Sequence, residues 1–309
     1  MGGAFVAVAS DSSATWWNPA GLAAGPLVDL ALARNLVEAT DKLPAWRNKT
    51  SWFALGTPAL GLSYYRFRIT EIQPLSPTAQ ADAGREAEGA KVPVRSLAVR
   101  QMGVSIVRTL VSGVHVGTTL KRLRGTLRES RQDSLAPVSE LLATGEALDG
   151  GDAESRFDLD VGIIAVAGPV RLGAVVRNLR EPEFVLAGST SDAPSTRFRL
   201  EKQIRAGVAF DPDGAGGFPL TVAFDMDMRA YATPTGDRRM MALGAEHWLL
   251  GRRIGVRGGG RVNTVGVRER IATAGLTVAA GGGLFLDGHV ARGGSVDERG
   301  WGLAARVSF

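Results

Sequence analysis

Cysteine is absent from the 309 residues, and tyrosine occurs only three times. Without cysteine no disulfide framework and no thiolate metal site can form. That is compatible with export but does not establish it. No stretch of 18 apolar residues occurs, which removes a transmembrane helix as the main anchor. No run of five or six like charges occurs either: the formal net charge of +5 is spread along the chain, so nucleic acid is not an expected partner. A leader is not visible, since Met1 is followed by Gly2-Gly3-Ala4 rather than by a basic region and an apolar core. A membrane β-barrel survives all of these absences, because its alternating strands carry a weak hydropathy signal.

What is present is a long β pattern. The length suits either two ordinary domains or one large β-structure. From Leu27 onward fourteen candidate strands of about ten residues can be drawn, the span of a tilted membrane strand. The clearest alternate strictly. Phe157, Leu159, Val161, Ile163 and Ala165 share one face, with Asp158, Asp160 and Gly162 on the other. Val170, Leu172, Ala174 and Val176 alternate with Arg171, Gly173 and Arg177. Leu220, Val222, Phe224, Met226 and Met228 alternate with Thr221, Ala223, Asp225, Asp227 and Arg229. Trp301, Leu303, Ala305, Val307 and Phe309 close the chain in the same way. Further strands are expected near 27–37, 49–57, 59–70, 96–109, 112–127, 200–211, 239–249, 252–262, 271–280 and 283–292.

The connections alternate between long and short. Long segments at 38–48, 71–95, 128–154 and 181–199 are interleaved with tight turns such as Thr57-Pro58-Ala59 and Ala167-Gly168-Pro169. Long loops on one side and short turns on the other are the habit of an outer-membrane barrel, whose long loops lie outside the cell. Only helices or a closed barrel satisfy every backbone group in lipid, and no helical span is expected here. Charged residues on the strands then belong in a polar lumen. The segments 71–95 (Pro74, Pro77, Gly84, Arg85, Glu86, Glu88) and 128–154 (Glu129, Arg131, Asp133, Asp149, Asp152) show no pattern that could bury a core. They read as flexible loops.

The first 26 residues stand apart from this pattern. Asn18-Pro19 is a helix-start signature, since Asn caps free N–H groups and Pro tolerates the first helical position. Gly21 lets the chain leave that turn. Residues Trp16, Trp17, Asn18, Pro19, Ala20 and Gly21 therefore read either as a short plug or as an ordinary packed N-terminal helix. A set of strand and near-strand charges comprises Asp158, Asp160, Arg171, Arg177, Arg205, Asp225, Asp227, Arg229, Glu246, Arg253 and Arg257. They could line a path, hold a plug, or neutralise one another across a closed lumen. His115, His247 and His289 are isolated, no Ser lies in a recognisable motif, and no cluster has metal-ligand spacing. Neither an enzyme, a metal site nor any other cofactor is expected. Asp213-Gly214 does not form a calcium loop. Gly258-Gly259-Gly260 and Gly281-Gly282-Gly283 precede no helix, so they are read as bends or as places where a plug nears the wall.

Met1 to Ala9, with Asp11 to Leu22 and Asn18-Pro19-Ala20-Gly21 within it, resembles the N-terminus of FadL-like outer-membrane proteins, especially their short PorV/PorQ-type branch. The likeness continues through Leu159-Asp160-Val161-Gly162, Arg171 to Leu179, Ala223-Phe224-Asp225, Leu243-Gly244-Ala245-Glu246 and Gly275-Leu276. The resemblance implies an all-β, transmembrane, antiparallel up-and-down barrel of about 14 strands at residues 27–309, with residues 1–26 as a plug in the lumen. It implies passage of fatty-acid-like hydrophobic molecules or, in the PorV manner, binding of secreted proteins. The implied setting is the bacterial outer membrane, with its lipid and lipopolysaccharide as surroundings and a signal peptide upstream of Met1. Phe309 resembles the signal recognised by the barrel-assembly machinery. The short hatch departs from the FadL branch.

Overall fold

Fourteen antiparallel strands hydrogen-bond to their neighbours in chain order, and the last returns to the first, so the sheet is a closed barrel. They are β1 (Asp29–Ala39), β2 (Ala45–Gly56), β3 (Leu60–Ile72), β4 (Lys91–Val111), β5 (Val114–Asp133), β6 (Glu154–Ala167) and β7 (Val170–Arg177). Then follow β8 (Gln203–Phe210), β9 (Leu220–Asp227), β10 (Met240–Leu249), β11 (Ile254–Asn263), β12 (Arg270–Gly281), β13 (Leu284–Gly293) and β14 (Arg299–Ser308). The computed structural model describes residues 1–41, 44–73, 91–186, 197–212, 218–233, 236–294 and 298–309. The loop residues Pro74, Pro77, Gly84, Arg85, Glu86 and Glu88, and Asp213-Gly214, lie outside them.

The two faces of each strand differ as the alternation demands. Leu30, Leu32, Leu60, Leu62, Met102, Val104, Ile106, Phe157, Ile163, Leu243, Trp301 and Leu303 are exposed, whereas Ala31, Ala33, Ser63, Gln101, Ser105, Asp158 and Ala242 between them are buried. An apolar belt running round the whole barrel is far beyond the patches a water-soluble surface carries. It is the surface that hydrocarbon requires. No described helix is long and apolar enough to cross a membrane. Short connections at 57–59, 112–113, 168–169, 250–253 and 282–283 lie at one end of the barrel, with the start of β1 and the end of β14. The other end carries the long ones.

Three expectations need correction. The segment 38–48 is mostly strand, since β1 runs to Ala39 and β2 starts at Ala45. β4 and β5 have 21 and 20 residues rather than about ten, so their hairpin rises well past the length of a membrane span. Nor is 128–154 a structureless loop: Val138–Ala147 forms a helix, α2, behind the single-turn α1 (Ala14–Trp17). Leu141 and Leu142 of α2 are buried against Ala45, Ile72, Val92 and Val94. These partners continue the outward-facing rows of β2, β3 and β4, so α2 lies on the outside of the raised wall. Val138, Leu141 and Leu142 have the i, i+3, i+4 spacing of a helix face, but that signal is about one turn long, and the surface it packs on comes from distant strands.

Candidate functional site: the N-terminal segment and the lumen charges

Asn18 is fully buried, and its side-chain amide organises the segment. Its Oδ1 accepts from the Ala20 N–H at 3.2 Å, capping a 3-10 helix at Pro19–Ala24 with Pro19 in the first position. The helix start read from the sequence is therefore found, as a 3-10 helix rather than an α-helix. Its Nδ2 donates to the carbonyls of Val6 (2.9 Å), Ile163 (3.1 Å) and Ala174 (3.4 Å), joining the segment to itself and to β6 and β7.

Other bonds hold the segment around the circumference. Asp225 of β9 accepts from the N–H groups of Phe5 (2.8 Å) and Val6 (2.9 Å). Gly2 N–H donates to Thr273 of β12 at 2.8 Å, and Ser12 N–H donates to Asp29 of β1 at 2.8 Å. Thr15 shares a hydrogen bond with Tyr65 of β3 at 3.2 Å, and Asp11 pairs with Arg306 of β14 at 3.3 Å. Trp16 stacks on Tyr65 with centroids 4.9 Å apart and takes the Arg177 guanidinium over its ring at 3.8 Å. Trp17 packs on Phe5. The wall side chains that bond to it, Asp29, Tyr65, Asp225, Thr273 and Arg306, lie on the strand face opposite the apolar belt, so the segment lies on the inner side of the wall.

Close approach depends on missing side chains. A Cβ at Gly162 would collide with the Asn18 amide and Pro19, and one at Gly117 would meet the Pro19–Ala20 backbone. Gly259 likewise faces Met1 and Gly2. The wall-contact reading of Gly258-Gly259-Gly260 therefore holds at Gly259. Gly281, Gly282 and Gly283 all have positive φ and form the tight β12–β13 turn, a bend.

The inward residues of β5 mark three levels. Gly117 touches the segment nearest the short turns. Lys121 follows, with its Nζ between Asp158 (2.7 Å) and Asp160 (2.6 Å) and donating to Asn178 at 2.9 Å. Beyond it, Leu123 and Leu127 join Phe67, Leu97, Val99 and Phe184 in an apolar cluster toward the long loops. Phe184 arrives on a two-stranded ribbon, Glu183–Val185 with Arg197–Arg199. Burial pushes the Glu183 carboxyl up, but hydrogen bonds from Arg197 and Arg199 outweigh it and hold it below the usual carboxylate value.

The charges singled out in the sequence separate accordingly. Asp158, Asp160 and Asp227 are neutralised within the barrel, Asp227 by Arg205 at 2.6 Å. Glu246 pairs with Arg257 at 2.6 Å, and Arg257 also pairs with Asp287. Asp225 holds the segment through backbone N–H groups. Arg171 pairs with Asp211 at 2.8 Å near the short-turn rim. Arg229 is not a lumen charge: β9 ends at Asp227, and Arg229 lies exposed beyond it. Arg253 is exposed in the β10–β11 turn. Phe309 is exposed, and its backbone pairs with Val28. Lys121 was missing from the sequence-based set, although the alternation Gly117, Thr119, Lys121 would have placed it inward.

On the outer wall, a cavity of about 1130 Å³ runs over β9 to β12, lined by Phe224, Leu243, Gly258, Gly260 and Ala272. Met1 and Gly2 lie behind it at Gly259. The strand pairing there is continuous, so only backbone separates groove and segment.

Replacing Asn18 tests the anchor. Asn18→Ala should cost about 1–3 kcal/mol through lost bonds and cap. Asn18→Asp should be worse, because a carboxylate would face three carbonyl oxygens. The temperature at which heat-dependent gel migration changes reads both; equal values for all three proteins would show that the amide anchors nothing.

A family model described as "F plasmid transfer operon, TraF, protein" matches residues 44–227. No curated protein matches the chain. Among solved structures, the CymD monoaromatic hydrocarbon channel superposes with a TM-score of 0.64 at 12% identity, over 98% of this chain and 94% of that one. A FadL homologue of Pseudomonas aeruginosa gives 0.65 at 9% identity, over 99% and 96%. The Pseudomonas putida toluene transporter TodX gives 0.60 at 12% identity, over 97% and 95%. The likeness is one of fold, and it is the fold that the resemblance implied.

Proposed function

The chain belongs to the family described as the F plasmid transfer operon TraF protein, and from its closed barrel we propose an outer-membrane channel that admits hydrophobic small molecules, with residues 1–26 as its gate. The observation that carries this is the ring of bonds from the segment to β1, β3, β6, β7, β9, β12 and β14. The segment is held at many points by a mixture of neutral hydrogen bonds, N–H bonds to the Asp29 and Asp225 carboxylates and the Asp11–Arg306 pair, so it is fixed at rest by many contacts of about 0.5–3 kcal/mol each rather than by one strong clamp. The hydrocarbon and toluene specificities named for the similar folds support an apolar substrate class. The outer groove supports it further, because it offers an apolar molecule a place beside the wall. In this reading the long loops face outward from the cell.

A second reading is favoured by the family's description, which names a transfer operon and no transported molecule, and by the raised β4–β5 hairpin with α2. In that reading the barrel holds a secreted protein partner in the PorV/PorQ manner. Liposomes containing the full chain distinguish the two. Uptake of a monoaromatic hydrocarbon above that of empty liposomes, with a lipid-like molecule in gently extracted protein, is expected of the channel. No such uptake, with a co-extracted protein partner, would replace the first reading by the second.

A further inference from the structure

Below the overhang of α2, the outer wall carries a cross-strand row of arginines at the edge of the apolar belt. Arg66 of β3, Arg100 of β4 and Arg124 of β5 are directly opposed across adjacent strands. All three share the face of Leu62, Met102 and Leu120, the exposed apolar belt. Like charges set directly opposite destabilise a sheet. Among the described residues, Arg66, Arg68, Arg100 and Arg124 form neither a salt bridge nor a side-chain hydrogen bond. Among the described residues, the row therefore has no ion-pair partner.

Around it lies a cavity of about 360 Å³ lined by Arg66, Arg68, Arg100, Arg124 and Arg128, with Asp149 the single carboxylate. That volume is roughly twelve waters' worth, room for a phosphorylated sugar unit. Its roof is the segment after α2, which Arg128 fixes by donating to the Leu148 carbonyl at 2.9 Å. Lys49, also on the outward face, ties α2 down through Glu146 at 2.5 Å. Toward the short turns the same strands present Leu60, Leu62, Val104, Ile106 and Leu120, exposed and apolar, with Arg122 of β5 a further outward arginine between Arg124 and Leu120, opposite Met102. On β4 the outward row runs from Arg100 through three apolar residues to Arg108, eight residues or about 27 Å along a tilted strand. Tilted by about 40°, that length rises about 21 Å, close to the height of the apolar band of a membrane barrel, which places Arg100 near the headgroup level.

We propose that this cavity binds the phosphorylated head of a lipopolysaccharide-type lipid, with its acyl chains lying on the apolar belt below. The ligand must combine several negative charges with several apolar chains. An acidic peptide would supply only the first, and a zwitterionic phospholipid supplies too little charge for five arginines. Guanidinium forks match phosphate oxygens in pairs, and the charges need no other partner once the head is seated. The proposal rests on the membrane-barrel part of the function given above and not on transport.

The test uses the full chain in detergent, with the barrel first checked by heat-dependent migration. Bisphosphorylated lipid A, its dephosphorylated form and inorganic phosphate serve as probes, read by native mass spectrometry. The chain should retain lipid A, and the triple variant Arg66→Gln, Arg100→Gln, Arg124→Gln should bind it about a hundredfold more weakly. Arg108→Gln, outward on the same strand at the other edge of the belt, should bind as the unaltered chain does. Equal retention by the triple variant, or equal binding of the dephosphorylated lipid, would overturn the proposal. Inorganic phosphate bound as tightly as lipid A would also overturn it, leaving a free-anion site. A chain that is monomeric without detergent would overturn the membrane barrel itself, and this site with it.

Discussion

Lys121→Met should destabilise the barrel by about 3–5 kcal/mol, the range for breaking a buried charge cluster by removing one partner. Lys121 is 1% exposed, Asp158 0% and Asp160 3%. Its ammonium is the cation between the two carboxylates, at 2.7 and 2.6 Å. Removing it leaves two anions near one another, out of water. The disturbance reaches further, because Asp160 also accepts from the Asn178 N–H (2.9 Å) and Asp158 from the Arg180 N–H (3.0 Å). Those bonds set the start of the connection that carries Phe184 into the lumen. Urea titration of refolded protein would measure the loss. Combining Lys121→Met with Asp158→Asn and Asp160→Asn should restore much of it, since the uncompensated charges then disappear. Unchanged stability in the single variant would mean that water already reaches the cluster.

Gly162→Val should open the barrel without unfolding it. Its first added carbon would meet the Asn18 amide and Pro19, and the branched side chain leaves neither a place to move along the wall. Overpacking costs about 1–3 kcal/mol, comparable to the bonds Asn18 makes, so the segment shifts rather than the strand. Solute leakage from liposomes should rise. Gly288→Val provides the control, because a Cβ there meets only the Leu303 side chain at 3.6 Å. A Gly162→Val barrel as tight as the unaltered one would overturn the proposal that residues 1–26 gate it.

The barrel was legible because the faces of its strands alternate in plain sight: Asp158 and Asp160 against Phe157 and Ile163 need no knowledge of their neighbours. Asn18-Pro19 was legible for the same reason, since a cap and its helix start are local. Other features depend on what lies across the sheet. Lys121 becomes meaningful only when β6 brings Asp158 beside it. Arg66, Arg100 and Arg124 become a row only in register. α2 was missed because its packing surface is assembled from three separate strands. Arg229 was misplaced because alternation says which side a residue faces, not where a strand stops.

The spacing of the segment's anchors has a consequence for the order in which the molecule is assembled. Ser12 finds Asp29 only 17 residues along, whereas Phe5 must find Asp225, 220 residues away, and Gly2 must find Thr273, 271 away. Contacts of such different separation form at different times, the distant ones last. The segment should therefore thread inward from Ser12 toward Met1 as the later strands are laid down. Its far end can be fixed only once β12 is in place, so seating of Met1 and Gly2 reports that the wall is nearly complete.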